Sequence, residues 1–344
     1  MPQQYRMAIN GYGRIGRCVM RALHESQAYP HLQIVAVNDV ADARTMAHLT
    51  RYDSTHGRFM GNVQLESDTQ MRINDQPVAI LSGTDIADLP WAELGIDLVL
   101  ECSGRYSDRA TAELHLQAGA GRMLFSQPAQ NDVDSTLVYG INDHLLAADH
   151  RVISAASCTT NCVVPVLQCL DDAFGVEHGA ITTIHSAMND QPVIDAYHDQ
   201  DLRKTRSAFQ SIIPVDTELA RGIGRILPHL DGRLSAIAMR VPTVNVSAID
   251  LTVTVRGATD ARAVNQAIRS AVERSAPGVL ACTDEPLASC DFNHDPRSAI
   301  LDLSLTRVSG GNLVKVVAWF DNEWGYANRM LDVAELIRRL GPVQ

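Results

Sequence analysis

The sequence predicts an α/β chain of two domains: an N-terminal doubly wound parallel sheet, then an α+β domain on a mixed, largely antiparallel sheet. Three observations carry this. A G-x-G-x-x-G run, Gly11-Tyr12-Gly13-Arg14-Ile15-Gly16, stands between a strand-like and a helix-like segment. Apolar runs up to residue 157 are short and almost uninterrupted, as in parallel strands buried on both faces. Beyond residue 158 the runs lengthen, and no internal repeat or low-complexity linker breaks the chain.

Taken in order, Arg6 to Asn10 read as the first strand and Arg17 to Glu25 as the helix that follows the glycines. Gly11, Gly13 and Gly16 let the backbone turn tightly and approach a pyrophosphate seated on the helix N-terminus. Asp39 closes a second strand, Ile34 to Asp39, about 20 residues beyond the glycines, where a carboxylate accepts hydrogen bonds from an adenosine ribose. A Rossmann domain binding NAD is the expectation. Leu98–Cys102, Arg122–Ser126 and Thr136–Gly140 supply further strands, and Arg151–Ala156 leads into Ser157 and Cys158.

Cys158 is followed by Val163, Val164, Val166, Leu167 and Leu170 at helical spacing, which sets its sulfur at a helix N-terminus. Unpaired N–H groups and the helix dipole there favour a thiolate, and His185 nearby would favour it further. A thiol nucleophile beside a hydride acceptor fits an aldehyde substrate. The thiol adds to the carbonyl, a base takes the hydroxyl proton as hydride leaves, and the thioester passes to water or phosphate. Cys158 and Cys162 lack a second close Cys or His pair, so no metal site is expected.

In the second domain, Ala180–His185, Ser235–Val241, Ala248–Val255, Ala299–Leu305 and Leu313–Phe320 read as strands. Ala261 to Arg274 reads as a helix through Val264, Ala267, Ile268 and Val272. Met330, Val333, Ile337 and Leu340 mark a closing amphipathic helix. The expected boundaries are 1–157, 158–323 and a C-terminal helix over 324–344.

The 344 residues, 46% hydrophobic and 20% charged, suffice for a large core. A net charge of −11 without a basic patch argues against a nucleic-acid partner, and no apolar run reaches bilayer length. The start enters a strand without a signal-peptide pattern, and seven cysteines lack disulfide-scaffold density. A cytoplasmic location is expected.

From end to end the chain resembles the phosphorylating glyceraldehyde-3-phosphate dehydrogenases. The resemblance rests on residues 10–17, Ser157-Cys158-Thr159-Thr160-Asn161-Cys162, Met239-Arg240-Val241-Pro242-Thr243 and Asp321-Asn322-Glu323-Trp324-Gly325-Tyr326. His185-Ser186-Ala187-Met188-Asn189-Asp190, residues 193–198 and residues 211–217 are most similar to the erythrose-4-phosphate branch of that superfamily. The resemblance implies Cys158 as nucleophile, His185 as activator and base, and Arg14, Ile15 and Asn322 at the cofactor. It places Ser157, Thr159, Thr217 and Arg240 around the substrate, with a homotetrameric assembly and a C-terminal helix packed on the cofactor domain. From its chemistry alone, a buried Arg240 calls for an anionic partner, either a substrate phosphate or a structural carboxylate.

Departures from the glyceraldehyde-3-phosphate pattern bear on specificity. Met188 stands where a threonine usually holds substrate phosphate, and Glu218 where a glycine backbone would approach an anion. Lys204 replaces a usual Arg, and Thr84 sits where a cofactor-contacting Arg is common. The stretch from His198 to Asp201 is one residue longer than usual. Glu218 would repel a phosphate unless it turns away or pairs with a cation.

Overall fold

The computed structural model describes residues 4–198 and 201–342. Residues 199 and 200, and with them part of the lengthened stretch, lie outside the described residues. The chain forms two compact units. One comprises the described residues up to Ser157 together with those from Ala327 on, and the other is Cys158–Tyr326.

The first unit holds a nine-stranded sheet in the order Ser135–Thr136, Val152–Ser154, Arg122–Phe125, Leu98–Glu101, Tyr5–Asn10, Leu32–Asn38, Gln76–Leu81, Gln70–Ile73, Val63–Ser67. The first seven strands run parallel, and the last two pairings, of Gln76–Leu81 with Gln70–Ile73 and of Gln70–Ile73 with Val63–Ser67, are antiparallel. The edge hairpin was not anticipated, because polar residues interrupt its apolar positions. Tyr5–Asn10 lies between Leu32–Asn38 and Leu98–Glu101, so strand order reverses about the first strand. A cleft outside the strand carboxyl ends at such a point is where doubly wound sheets bind ligands.

The first helix begins at Arg14, three residues before the expected Arg17, because extended Gly13 serves as N-cap and its carbonyl accepts from Arg17 N at 3.0 Å. The run from Thr136 to Gly140 is strand only at its start. The Asn142 side chain takes the Val138 N–H at 2.8 Å and donates to the Thr136 carbonyl at 2.9 Å, and Gly140 turns with φ 77°. Local side-chain bonds there replace a sheet ladder.

The second unit has an eight-stranded sheet. Its path is Ile213–Val215, Leu234–Arg240, Val176–His185, Ser247–Val255, Leu313–Phe320, Ala299–Asp302, Leu280–Thr283, with Arg307–Ser309 also paired to Leu313–Phe320. Two pairings are parallel and the rest antiparallel. The expected strand Ala299–Leu305 stops at Asp302, whose Oδ1 accepts from Ser304 N at 3.1 Å and Oγ at 2.6 Å and winds the chain into a 3-10 turn. Helix Cys158–Phe174 is buried along most of its length and packs on this sheet beside helix Ala261–Arg274. The last helix, Trp324–Arg339, starts in the second unit and continues in the first. Buried Asp321 begins it, its Oδ1 accepting from Glu323 N at 2.9 Å and Trp324 N at 2.7 Å. Among the described residues no helix is long and apolar enough to cross a membrane.

Candidate active site

In the first unit, the carboxyl ends of the three central strands frame a cleft lined by Asn10, Gly11, Gly13, Asp39, Thr84 and Ser103, among others. Gly11 has φ 90°, and a Cβ there would fall 2.3 Å from the Ser103 backbone nitrogen. At Gly16 a Cβ would fall 2.4 Å from the Gly11 carbonyl oxygen, so the helix packs on the turn itself. Gly13 by contrast faces open space and is exposed. Asp39 lies one residue beyond its strand; its Oδ2 accepts from Tyr12 N at 2.7 Å and its Oδ1 from Ala41 N at 3.0 Å. It therefore ties the glycine turn to the second strand while remaining half-buried at the cleft.

Beneath the cleft, fully buried His115 receives the Trp91 indole N–H at Nδ1, 3.0 Å, and so carries its proton at Nε2, facing Glu101 Oε2 at 3.2 Å. Glu101 also accepts from Asn10 Nδ2 at 2.5 Å and Ser103 N at 2.8 Å, which anchors two residues of the cleft.

In the second unit, Cys158 is the first residue of its helix. Its Sγ lies 3.8 Å from His185 Nε2 and 3.8 Å from Thr159 Oγ1. His185 ends its strand in register with Arg240 on the parallel neighbour, which puts both side chains on one face of the sheet. Arg240 Nη1 is 2.9 Å from His185 Nδ1 and 3.5 Å from the Ser186 carbonyl, and that carbonyl is 2.9 Å from the same Nδ1. The Phe320 ring closes on His185 edge-on at 6.3 Å. Asn322 is buried, and its Oδ1 accepts from Ser186 Oγ at 3.0 Å and Ser247 Oγ at 2.8 Å. With the oxygen occupied, the amide N–H₂ is the group left to donate outward.

Residues 5–109 match the family described as glyceraldehyde 3-phosphate dehydrogenase, NAD binding domain, and residues 157–322 the glyceraldehyde 3-phosphate dehydrogenase C-terminal domain. The chain belongs to the glyceraldehyde 3-phosphate dehydrogenase family. It is an NAD-dependent aldehyde dehydrogenase, and the sheets described above are that family's fold.

The cleft of this dehydrogenase fits NAD by its donor set. The open side of Gly13, at a helix start with no side-chain cap, leaves room for a pyrophosphate. The Asp39 oxygens, each with lone pairs beyond their backbone bonds, suit ribose hydroxyls. Arg14 is the first residue of the helix that follows the cleft glycines. Its guanidinium is bound in bidentate fashion by Asp53, with a second contact at 3.2 Å. Burial would raise the Asp53 carboxyl, but Arg14 and the N–H groups of His56 and Thr55 hold it below the usual range. The Arg14 side chain therefore braces the helix start. Ile15 follows it in the first turn, and Thr84 is exposed on the cleft rim.

Of the substrate residues expected in the dehydrogenase, Thr159 and Arg240 lie beside Cys158 and His185, and Ser157 directly precedes the nucleophile. Arg240 interacts with the Asp190 charge, and its Nε is buried without a hydrogen bond. Lys204 Nζ is held by Asp190 Oδ2 at 2.8 Å. Thr217 Oγ1 accepts from Leu219 N at 3.2 Å at the start of helix Leu219–Ile226, which packs on the Cys158 helix. Glu218 pairs with Arg221 at 2.8 Å, both exposed, so its charge is turned onto a cation. An i,i+3 acid and base on a helix was a readable signal for that pairing. Met188 is 45% exposed.

Burial opposes the thiolate that the helix terminus favours. Burial pushes the Cys158 thiol up, against the opposing pull of Thr159 and of the Arg240 charge, although the residue is only half enclosed. Burial first, and then Arg240, push His185 down to about 4. Both shifts oppose the pull of the helix terminus towards a thiolate, and the 3.8 Å contact places the imidazole to take the thiol proton during attack. Sequence reasoning missed Ser186 and Ser247, which orient Asn322, and Asp190, which holds Lys204. None has a local motif that reveals the partner.

Proposed function

We propose that this dehydrogenase oxidises D-erythrose 4-phosphate to 4-phospho-D-erythronate in the cytoplasm. The resemblance links that step to pyridoxal phosphate synthesis. One observation carries the substrate choice: Met188 presents an exposed thioether where a phosphate-holding hydroxyl would favour the shorter glyceraldehyde 3-phosphate. A substrate one carbon longer places its phosphate farther from Cys158.

Cys158 Sγ attacks the aldehyde carbon while His185 Nε2 takes the thiol proton, and that proton passes to the new alkoxide to give a thiohemiacetal. His185 then accepts the hydroxyl proton as the C–H bond breaks. Bound NAD supplies the hydride acceptor. Once His185 has released that proton to solvent, the thioester is cleaved by water, activated by the same imidazole, to release the acid and restore the thiol. Asn322 Nδ2 donates to the carboxamide, Arg240 to the substrate phosphate, and Thr159, Ser157, Lys204 and Thr217 complete the polar surroundings. All seven cysteines are free, in keeping with a reducing compartment.

Assembly into a homotetramer is part of the proposal. Ile184 and Ile237, on the same solvent face of the sheet, are 39% and 53% exposed, and Val193, Ile194, Tyr197, Leu202 and Ile212 are more exposed still. Apolar surface on this scale marks a contact site.

Steady-state kinetics on both sugar phosphates, with and without inorganic phosphate, tests the reading. Higher kcat/KM for erythrose 4-phosphate and little phosphate dependence are expected. Strong phosphate dependence with preference for glyceraldehyde 3-phosphate would establish the glycolytic activity instead.

A further inference from the structure

The polar side chains beneath the cleft of the first unit form a chain of hydrogen bonds whose direction is fixed from both ends. Trp91 Nε1 can only donate, so His115 Nδ1 at 3.0 Å is bare and the ring proton sits on Nε2, 3.2 Å from Glu101 Oε2. At the other end the Gly83 N–H can also only donate, so the Asn38 atom 2.9 Å from it is the amide oxygen. The Asn38 N–H₂ then donates to Asn10 Oδ1 at 2.8 Å, and the Asn10 N–H₂ turns to Glu101 Oε2 at 2.5 Å. The Ser103 N–H reaches Oε1 of the same carboxylate at 2.8 Å. Three donors thus converge on Glu101, and none of them can be reversed. A group at their meeting point must accept from all and donate to none, and an ionised carboxylate does so. The side chains of Trp91, His115, Glu101, Asn10 and Asn38 are all buried. Burial by itself would raise the Glu101 carboxyl, but the bonds from His115, Asn10 and Ser103 hold it below the usual range.

We propose that Glu101 is a positioning residue for NAD: as the acceptor on which the chain converges, it sets the separation of two walls of the cofactor cleft. One wall is the glycine turn, entered through Asn10, and the other is the segment after strand Leu98–Glu101, entered through Ser103. They approach so closely that a Cβ on Gly11 would fall 2.3 Å from the Ser103 nitrogen, whose proton Glu101 holds. The two strands are neighbours where the strand order reverses, which is where the cleft opens. Glu101 is 1% exposed and does not line the cleft, so it acts through Asn10 and Ser103 rather than by touching the cofactor. His115 and Trp91 act at one further remove, by keeping a donor on the carboxylate. Glutamine in this place brings an N–H₂ where no acceptor waits. Turned one way it faces the Ser103 N–H, and turned the other it faces the donors of Asn10 and His115.

Titration calorimetry with NAD and turnover at saturating NAD test the proposal on Glu101→Gln. The Kd for NAD should rise about tenfold or more, as expected for a buried donor left unpaired. Turnover at saturating NAD should stay within about threefold of the parent, so that the loss falls on KM. Trp91→Phe removes the far donor, frees His115 to take the other tautomer, and should raise the Kd in the same direction by about threefold. A purely structural Glu101 would lower the urea midpoint of the variant and leave its folded fraction with the parent affinity for NAD; that result overturns the proposal. The unmodified protein supplies an independent check. Nitrogen-15 spectra of histidine-labelled protein, with His115 assigned through the Trp91 indole proton, should show Nε2–H with and without NAD. A proton on Nδ1 reverses the chain and overturns the proposal, whether or not either variant folds. The binding arm reads the cofactor alone, so its outcome is independent of which sugar phosphate the enzyme oxidises.

Discussion

Replacing His185 by Asn should change how the protein responds to acid. In the fold the imidazole titrates at about 4 against an ordinary 6.5, first because it is buried and second because Arg240 repels its charge. The native state favours the neutral ring, so the unfolded chain binds the proton first. His185 therefore contributes its full stability above pH 6.5 and loses it as pH falls towards about 4. A depression of this size corresponds to about 3 kcal/mol lost across that window. Asn fills a similar volume and does not titrate there. Urea unfolding of the parent and His185→Asn, at fixed protein concentration in phosphate-free buffer, gives the difference in stability at each pH. Near neutrality the variant should be the weaker, through lost packing and polar contacts. Between pH 6.5 and about 4 its deficit should shrink by about 2 to 3 kcal/mol, because only the parent must protonate this ring. Two curves that stay parallel through the window would refute the neutral, buried imidazole and restore a charged one.

Cys158→Ser should abolish oxidation while leaving NAD binding intact, and Cys162→Ser should keep substantial activity, since burial raises the Cys162 thiol well above its ordinary range; isothermal titration and turnover assays check the two halves. Asp39→Ala should narrow the preference for NAD over NADP by about 1.5 to 3 kcal/mol in relative kcat/KM, the worth of hydrogen bonds to a charged group. An unchanged ratio would leave Asp39 only its bonds to Tyr12 and Ala41. Met188→Thr with Glu218→Gly should move selectivity towards glyceraldehyde 3-phosphate by about 1 to 3 kcal/mol, read from the kcat/KM ratio of the two substrates.

The parts of the site that sequence made legible are those where the chemistry is local. Gly11, Gly13 and Gly16 announce their turn because a close backbone approach excludes a side chain, and Cys158 announces its helix through the apolar spacing that follows. Helix Ala261–Arg274 has the limits its periodicity predicts. What escaped depends on register or on burial. The contact of Arg240 with His185 exists because two strands 55 residues apart pair in parallel at one register. A shift by one residue would send Arg240 to the opposite face. Ser186 and Ser247 meet Asn322 from two different strand ends, and no spacing along the chain encodes that meeting. The thiol's raised pKa follows from enclosure, whereas the sequence displayed only the helix terminus that argues the other way.

The division of the chain also governs when each unit can be completed. The nucleotide-binding unit takes its last pieces from the far end of the polypeptide: Asp332 accepts from the Tyr29 hydroxyl at 2.8 Å, Arg329 lies over the Tyr139 ring, and the Gly341 carbonyl accepts from Arg122 at 2.7 Å. The catalytic unit is one continuous segment. During synthesis the N-terminal strands emerge first, yet must wait for the closing helix, a delay of roughly 10 to 40 s at ordinary elongation rates. The unit begun first is thus finished last. A ribosome-stalled or truncated chain would present a complete catalytic unit beside a nucleotide fold still open along the surface that its own C-terminus covers.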